Sequence, residues 1–266
     1  MAKQVGLVRY SGTMGGVRHF KIKGLQGDFA GMKGGASAEQ IKNGEEFVRT
    51  RENMNEFGGC ARAGKSVRNG LASILSEMSD SQLTGRLTSI MKKINLEDQS
   101  EARGYRAILI SEQPQYLLAM QFNRSINFDS VLTAPAVITH DPARNKGNVN
   151  FANIEPYNVM APAGSTHFRI VHTLSVISDF SFNANTSSYE PIDAANNELN
   201  DVKFSGYLDL AVSQTNVDIE TELPGLPTLS TDVSVLQCVG IEFFQKVGAN
   251  YYMFSQGNSL KVASIF

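Results

Sequence analysis

The stretch GGCARAGKS, Gly58 to Ser66, decides how the first third of this chain is read. Gly59, Gly64, Lys65 and Ser66 fit G-x-x-x-x-G-K-[ST], the spacing of a phosphate-binding loop. Such a loop needs a buried strand leading in and a helix that begins after the lysine, so that free backbone N–H groups face the anion. Here the residues leading in are FVRTRENMNEF, charged and without strand alternation. A helical period continues through Gly64 and Lys65 into VRNGLASIL. The magnesium carboxylate that a nucleotide site needs is also missing. The nearest candidate, Asp179 after LSVIS, lies in a β-rich region with no crossover helix beside it. Gly58 to Ser66 is therefore predicted to be helix, and no cofactor is expected.

Working outward, EEFVRTRENMNEFGGCARAGKSVRNGLASILSEM (Glu45–Met78) places Phe47, Met54, Phe57, Ala61, Gly64, Val67, Leu71, Ile74, Leu75 and Met78 at helical spacings. Gly58, Ala61 and Gly64 would form one small-residue side that lets another backbone approach. Alternatively, the glycines break the stretch into two helices. Upstream, Ser37 and Gln40 form a capping box that opens AEQIKN. Downstream, Ser79 is a candidate cap for a helix with Leu83, Leu87, Ile90, Met91 and Ile94 on one face. Near the N-terminus, QVGLVRY and VRHFKIK read as the strands of a hairpin with SGTMGG as its turn.

From about Gly104 the pattern changes. YRAILIS, HFRIVHTLSVISDF, YLDLAV, VSVLQCVGIEFFQKV, NYYMFS and LKVASIF are strand-like, and the last three are expected to form an antiparallel meander with GAN and QGN as turns. Charge changes at the same place. Residues 1–106 hold 17 Lys and Arg against 11 Asp and Glu, whereas residues 107–266 hold 7 against 15. The expected fold class is α+β: a small hairpin-plus-helices portion, 1–106, packed beside a larger antiparallel β-sandwich or barrel-like portion, 107–266.

Motifs for chemistry are sparse. His19, His140, His167 and His172 make no metal spacing, and alternation puts His167 and His172 on opposite faces of a strand. Cys60 and Cys238 are far apart and read as two buried, reduced thiols. No nucleophile elbow is present. No apolar run reaches membrane length and no secretory leader is seen, so no membrane partner is expected. The expected compartment is the cytoplasm, which an assembly could leave by a non-classical route. Arg49, Arg51, Arg62, Lys65 and Arg68, with Lys21 and Lys23, form a basic region, but interleaved Glu45, Glu46, Glu52 and Glu56 weigh against nucleic acid.

GTMGGVRHFKIKG, FVRTRENMNEFGGCARAGKSVR and VLQCVGIEFFQKVGANYY together resemble an uncharacterised family of bacterial, Bacteroidota-type proteins with no established activity. The likeness spans most of the chain. It implies a bacterial protein and supplies no catalytic residues.

Little catalytic chemistry, only 19% charged residues and halves of opposite charge point to a structural protein that self-assembles into a filament, tube or shell. Its partners would be copies of itself, contacted through Val5, Leu7, Tyr10, Val17, Phe20 and Ile22 of the hairpin and through Arg62 and Arg68. The alternatives are a binding module for carbohydrate or protein, built on the loops HDPARNKGN and NANTSSYEPID, and a nucleotide-binding enzyme using Gly59–Ser66.

Overall fold

The computed structural model describes residues 2–266. The chain is α+β, and it divides into two compact units between Arg51 and Glu52. Composition changes later, at 106/107. The helices between these points bury their faces in the core of the β-rich unit and belong with it.

The first unit is a four-stranded antiparallel sheet in the order β1-β4-β3-β2, built from β1 (Ala2–Gln4), β2 (Gly12–Met14), β3 (Val17–Phe20) and β4 (Asp28–Met32). The expected hairpin exists with a different first arm. Gly12–Met14, not Gln4–Tyr10, pairs with Val17–His19. Gly15 and Gly16 both take positive φ, 55° and 82°, as a two-residue hairpin turn requires, and this moves the turn to the end of SGTMGG. Val5 to Arg9 form no strand. Helix α1 (Ala38–Asn43) follows, opened by the Ser37–Gln40 capping box. Arg51 donates to the carbonyls of Ile41 and Gly44 and ties the end of α1 to the next helix.

The second unit holds most of α2 (Val48–Gly70), with α3 (Ala72–Met78), α4 (Leu83–Glu97) and the single turn α5 (Phe128–Val131). Gly58 to Gly64 lie inside one helix. The break comes later, at Leu71. The buried stripe of α2 is Glu56, Gly59, Cys60, Ala63, Gly64, Ser66, Val67 and Gly70, whereas Met54 and Phe57 are exposed. The expected face is thus rotated, because small residues rather than large ones meet the neighbouring elements. A Cβ on Gly59 would fall within the Tyr189 ring, while one on Gly58 would meet open space. Ser79 closes α3 by donating to the Leu75 carbonyl, and it does not cap α4.

The strands are β5 (Val137–His140), β6 (Lys146–Ile154), β7 (His167–Ser178), β8 (Phe180–Asn183), β9 (Ser188–Pro191), β10 (Asn200–Phe204), β11 (Leu208–Asp209), β12 (Gln214–Glu222), β13 (Val233–Val247), β14 (Asn250–Met253) and β15 (Ser259–Ile265). Six of them form one sheet in the order β10-β7-β13-β14, with β11 on β7 and β15 on β13. A three-stranded sheet, β12-β6-β5, and the hairpin β8-β9 complete the unit, and one of the large sheets curls into a half-barrel.

The middle strands β7 and β13 are apolar on both faces, as strands covered on both sides must be. Val171, Ile177, Leu236, Cys238, Leu260 and Val262 join the core formed with α2, α3 and α4. Phe168, Ile170, Val239, Ile241 and Phe243 face Val149, Phe151, Val217 and Ile219 of the small sheet. Period-two alternation assigns each residue to its side.

Two further expectations are corrected. β15 does not extend a meander from β14. It returns to β13, where Ser259–Ile265 pairs with Leu236–Ile241 while β14 holds Phe244–Val247. YRAILIS is no strand: beside the bridge between Ile108 and Phe180 and two turn bonds, its backbone is held by side chains. Asn95 donates to the Arg106 carbonyl, Asp98 accepts from the Ala107 N–H, and Asp179 accepts from the Ser111 N–H. YLDLAV contributes only the two residues of β11.

Candidate functional site

Three of the four residues of the phosphate-loop pattern serve the packing of α2. Gly59 lies against Tyr189, and Gly64 against the backbone and Cβ of Leu87. Ser66 is buried, donates to Glu198 Oε1 at 3.0 Å and accepts from Asn197 Nδ2 at 2.7 Å. Lys65 points to solvent. Backbone N–H groups inside a helix are committed to carbonyls four residues back and cannot cradle a phosphate.

Several groups capable of chemistry are embedded, whereas His140 is exposed and His19 and His167 are half-buried. His172 is fully buried between the two sheets, its Nδ1 2.7 Å from Thr221 Oγ1 and its Nε2 2.9 Å from Gln237 Nε2. Since the Gln237 amide donates, Nε2 is the accepting nitrogen and Nδ1 carries the proton. Burial pushes the His172 pKa down from 6.5 to about 4. Cys60 is pushed up to about 12 by burial, and burial raises Cys238 as well, so neither thiol is a ready nucleophile. Glu56, also buried, pairs with Lys92 and accepts from the Gly104 N–H at 2.7 Å, which fastens α2 to α4 and to the loop after it. Asp179 accepts from Ser111, and burial keeps its carboxyl above the usual range. Among the described residues, no group of three or more His, Cys, Asp or Glu side chains is placed to hold a metal.

The two loops expected to carry binding are short hairpin connections whose polar groups satisfy one another. Asp141 accepts from the backbone of Asn145 and Lys146, and the Arg144 guanidinium donates to the Val233 and Ser230 carbonyls. In the β8–β9 turn, Asn183 and Thr186 both donate to Glu190. A feature that sequence reasoning missed lies at one end of the large sheet. Tyr207 and Tyr251 stack in parallel with centroids 3.8 Å apart, and Arg169 lies over Phe204 at 4.0 Å while pairing with Glu242. These residues are far apart in sequence, and only the β7–β13 register brings them together.

The residues assigned to self-association divide between the units. In the first, Val5 and Leu7 are 90% and 106% exposed and Tyr10 is half exposed, in the segment joining β1 to β2. Val17, Phe20 and Ile22 are half-buried, with the Phe20 and Phe29 rings 6.4 Å apart. Val8, Met14, Leu25 and Met32 are also exposed, although sequence reasoning did not single them out. Asp28 is the one described residue of this unit that is buried, held by Arg9 at 3.1 Å and Lys21 at 3.8 Å. In the second unit, Arg62 donates to the Tyr189 carbonyl at 2.9 Å, while Arg68 is half-buried and its Nε has no partner.

Charge follows the structural division. Residues up to Arg51 carry nine Lys and Arg against four Asp and Glu, and residues from Glu52 carry fifteen against twenty-two. Edge strand β12 presents Asp218, Glu220 and Glu222 outward in a row. Among the described residues, no helix is long and apolar enough to cross a membrane.

No protein-family model matches the chain, and no curated protein is significantly similar to it.

Proposed function

We propose that the chain is a structural subunit that assembles with copies of itself, its N-terminal unit acting as an arm that docks on a neighbouring copy. One observation carries this reading: the first unit is an ordered sheet without a core. Val5, Leu7, Val8, Met14, Leu25 and Met32 are exposed, Val17, Phe20, Ile22 and Phe29 are only half-buried, and the one buried residue among those described is a carboxylate. A small sheet of this kind needs an apolar surface to become stable. A second copy offers complementary charge. Lys3, Arg9, Arg18, Lys21, Lys23 and Lys33 oppose a single acid, Asp28, within residues 2–35, and the outer row of β12 is acidic. β1 and β2 are edge strands, as are β12 and β5, so strand addition is open on both partners. A contact of this head-to-tail type gives a fibre, or a ring where it closes. The reading assigns the chain no catalytic step.

Sedimentation and electron microscopy of the purified full-length chain test it. Regular polymers or rings are expected. Deleting residues 2–35 should leave a folded, dispersed monomer. Dispersed full-length chains at every concentration, or unchanged assembly after the deletion, would refute the reading. Sodium chloride should weaken assembly as the Debye length falls from about 10 Å at 0.1 M to about 3 Å at 1 M. Sulfate should strengthen the apolar part of the contact.

A further inference from the structure

A cavity of about 320 Å³ lies between the six-stranded sheet and the three-stranded sheet. One part of its wall is apolar, with Phe128 and Leu132 from α5 and the residue after it, Ala134, Ile138 from β5, Phe151 from β6 and Val239 from β13, and the other part is polar, with Asp129, Thr133 and Lys261. A hollow with apolar residues on one side and a few polar groups on the other is suited to a small amphipathic organic ligand.

The rim carries one polar pair. Lys261 is the cross-strand partner of Val239, so it projects from β15 into the sandwich side of the sheet, where an unpaired charge would be costly. Its Nζ bonds Asp129 and sits 5.1 Å from the centre of the Phe128 ring. The neighbouring polar groups are already engaged. Gln121 donates to Asp129 and accepts from the Phe128 N–H, and Thr133 Oγ1 exchanges hydrogen bonds with Asn158. An ammonium has three donor hydrogens, and a carboxylate has room for about four acceptances. Lys261 and Asp129 therefore keep spare donors and spare acceptor sites side by side at the mouth of the cavity.

The pair also selects the head of a ligand. A carboxylate would be drawn to Lys261 and repelled by Asp129 at nearly the same range, and an ammonium would meet the reverse. A neutral head that accepts from Lys261 and donates to Asp129 satisfies both. We propose that this cavity binds a small aliphatic alcohol or primary amide, tail inward among Phe128, Leu132, Phe151 and Val239, head between Lys261 and Asp129. The site lies wholly within the second unit and is independent of the arm.

Titration of the full-length chain with octanol, octanamide and octanoate, followed by methyl NMR shifts and calorimetry, tests this. Octanol and octanamide should bind with one molecule per chain, and octanoate about tenfold more weakly. Ala134→Phe, which fills the cavity, should abolish binding. Ala136→Trp at the exposed mouth should weaken it by about tenfold and leaves the core untouched, so it decides the matter if Ala134→Phe unfolds. Lys261→Met should erase the preference for octanol over octanoate. Absence of saturable octanol binding, binding that survives Ala136→Trp unchanged, or a preference for octanoate would each overturn the proposal.

Discussion

Two sheets in this chain end differently. The sheet of the first unit has four strands of three to five residues, and none of its apolar side chains is fully buried. The sheet around β7 and β13 uses strands of 12 and 15 residues and buries nearly every side chain on both faces. Apolar content separates them in part: the four strands of the first sheet hold five Val, Met and Phe among fifteen residues, whereas β7 and β13 hold fourteen Val, Ile, Leu and Phe among twenty-seven. Covering layers complete the difference. β13 has helices on one face and a second sheet on the other, whereas no comparable pair of layers encloses β3 and β4 within their own unit. Strand propensity makes a sheet, and only a second layer makes it a core.

The sharpest way to break this comparison is truncation on each side. Phe243→Ala should cost about 4 kcal/mol in urea unfolding, because its side chain is fully enclosed. Phe20→Ala should cost less than about 1 kcal/mol in the isolated chain. Equal losses would mean that the first unit has a core after all.

The next effect is a pH dependence confined to the second unit. His172 binds a proton at about pH 4 when folded and at 6.5 when unfolded. Between those values the unfolded chain holds the proton and the native chain does not, so stability falls as pH drops from 6.5 towards 4. The loss amounts to about 3 kcal/mol. His172→Gln should flatten that part of the stability curve, and deletion of residues 2–35 should leave it unchanged. A curve unaffected by His172→Gln would remove the histidine as its cause.

The smallest test sharpens the packing argument inside α2. Gly59→Ala should cost about 2 kcal/mol, because the methyl group meets the Tyr189 ring. Its neighbour Gly58 faces open space, and Gly58→Ala should raise stability by about 0.5–1 kcal/mol through helix propensity. Thermal unfolding reads both, and shifts of the same sign would contradict the assignment of the buried stripe.

Long signals were legible in the sequence. The capping box at Ser37, helix through Gly58–Ser66, the strands β7 and β13 and the α+β class all follow from period and caps. What escaped has physical causes. The face of α2 was read from large apolar residues, but the contact is made by glycines and alanine, which carry no hydropathy signal. β6 and β12 alternate Asn, Asp and Glu with single apolar residues and so read as loop. The clamp between Glu56 and Lys92, the Tyr207–Tyr251 stack and the Lys261–Asp129 rim each join residues many positions apart, and no local pattern announces a distant register.

The position of β13 in the chain also sets the order in which the molecule can form. This strand and β15 supply one wall of the helical core, yet they follow α4 by more than a hundred residues. At about 5–20 residues per second, α4 leaves the ribosome on the order of ten to thirty seconds before its partner strands exist. Throughout that interval Val67, Leu71, Leu87 and Met91 have no sheet to cover them. The helical core must therefore close late, after α2 and α4 have waited uncovered for β13 and β15.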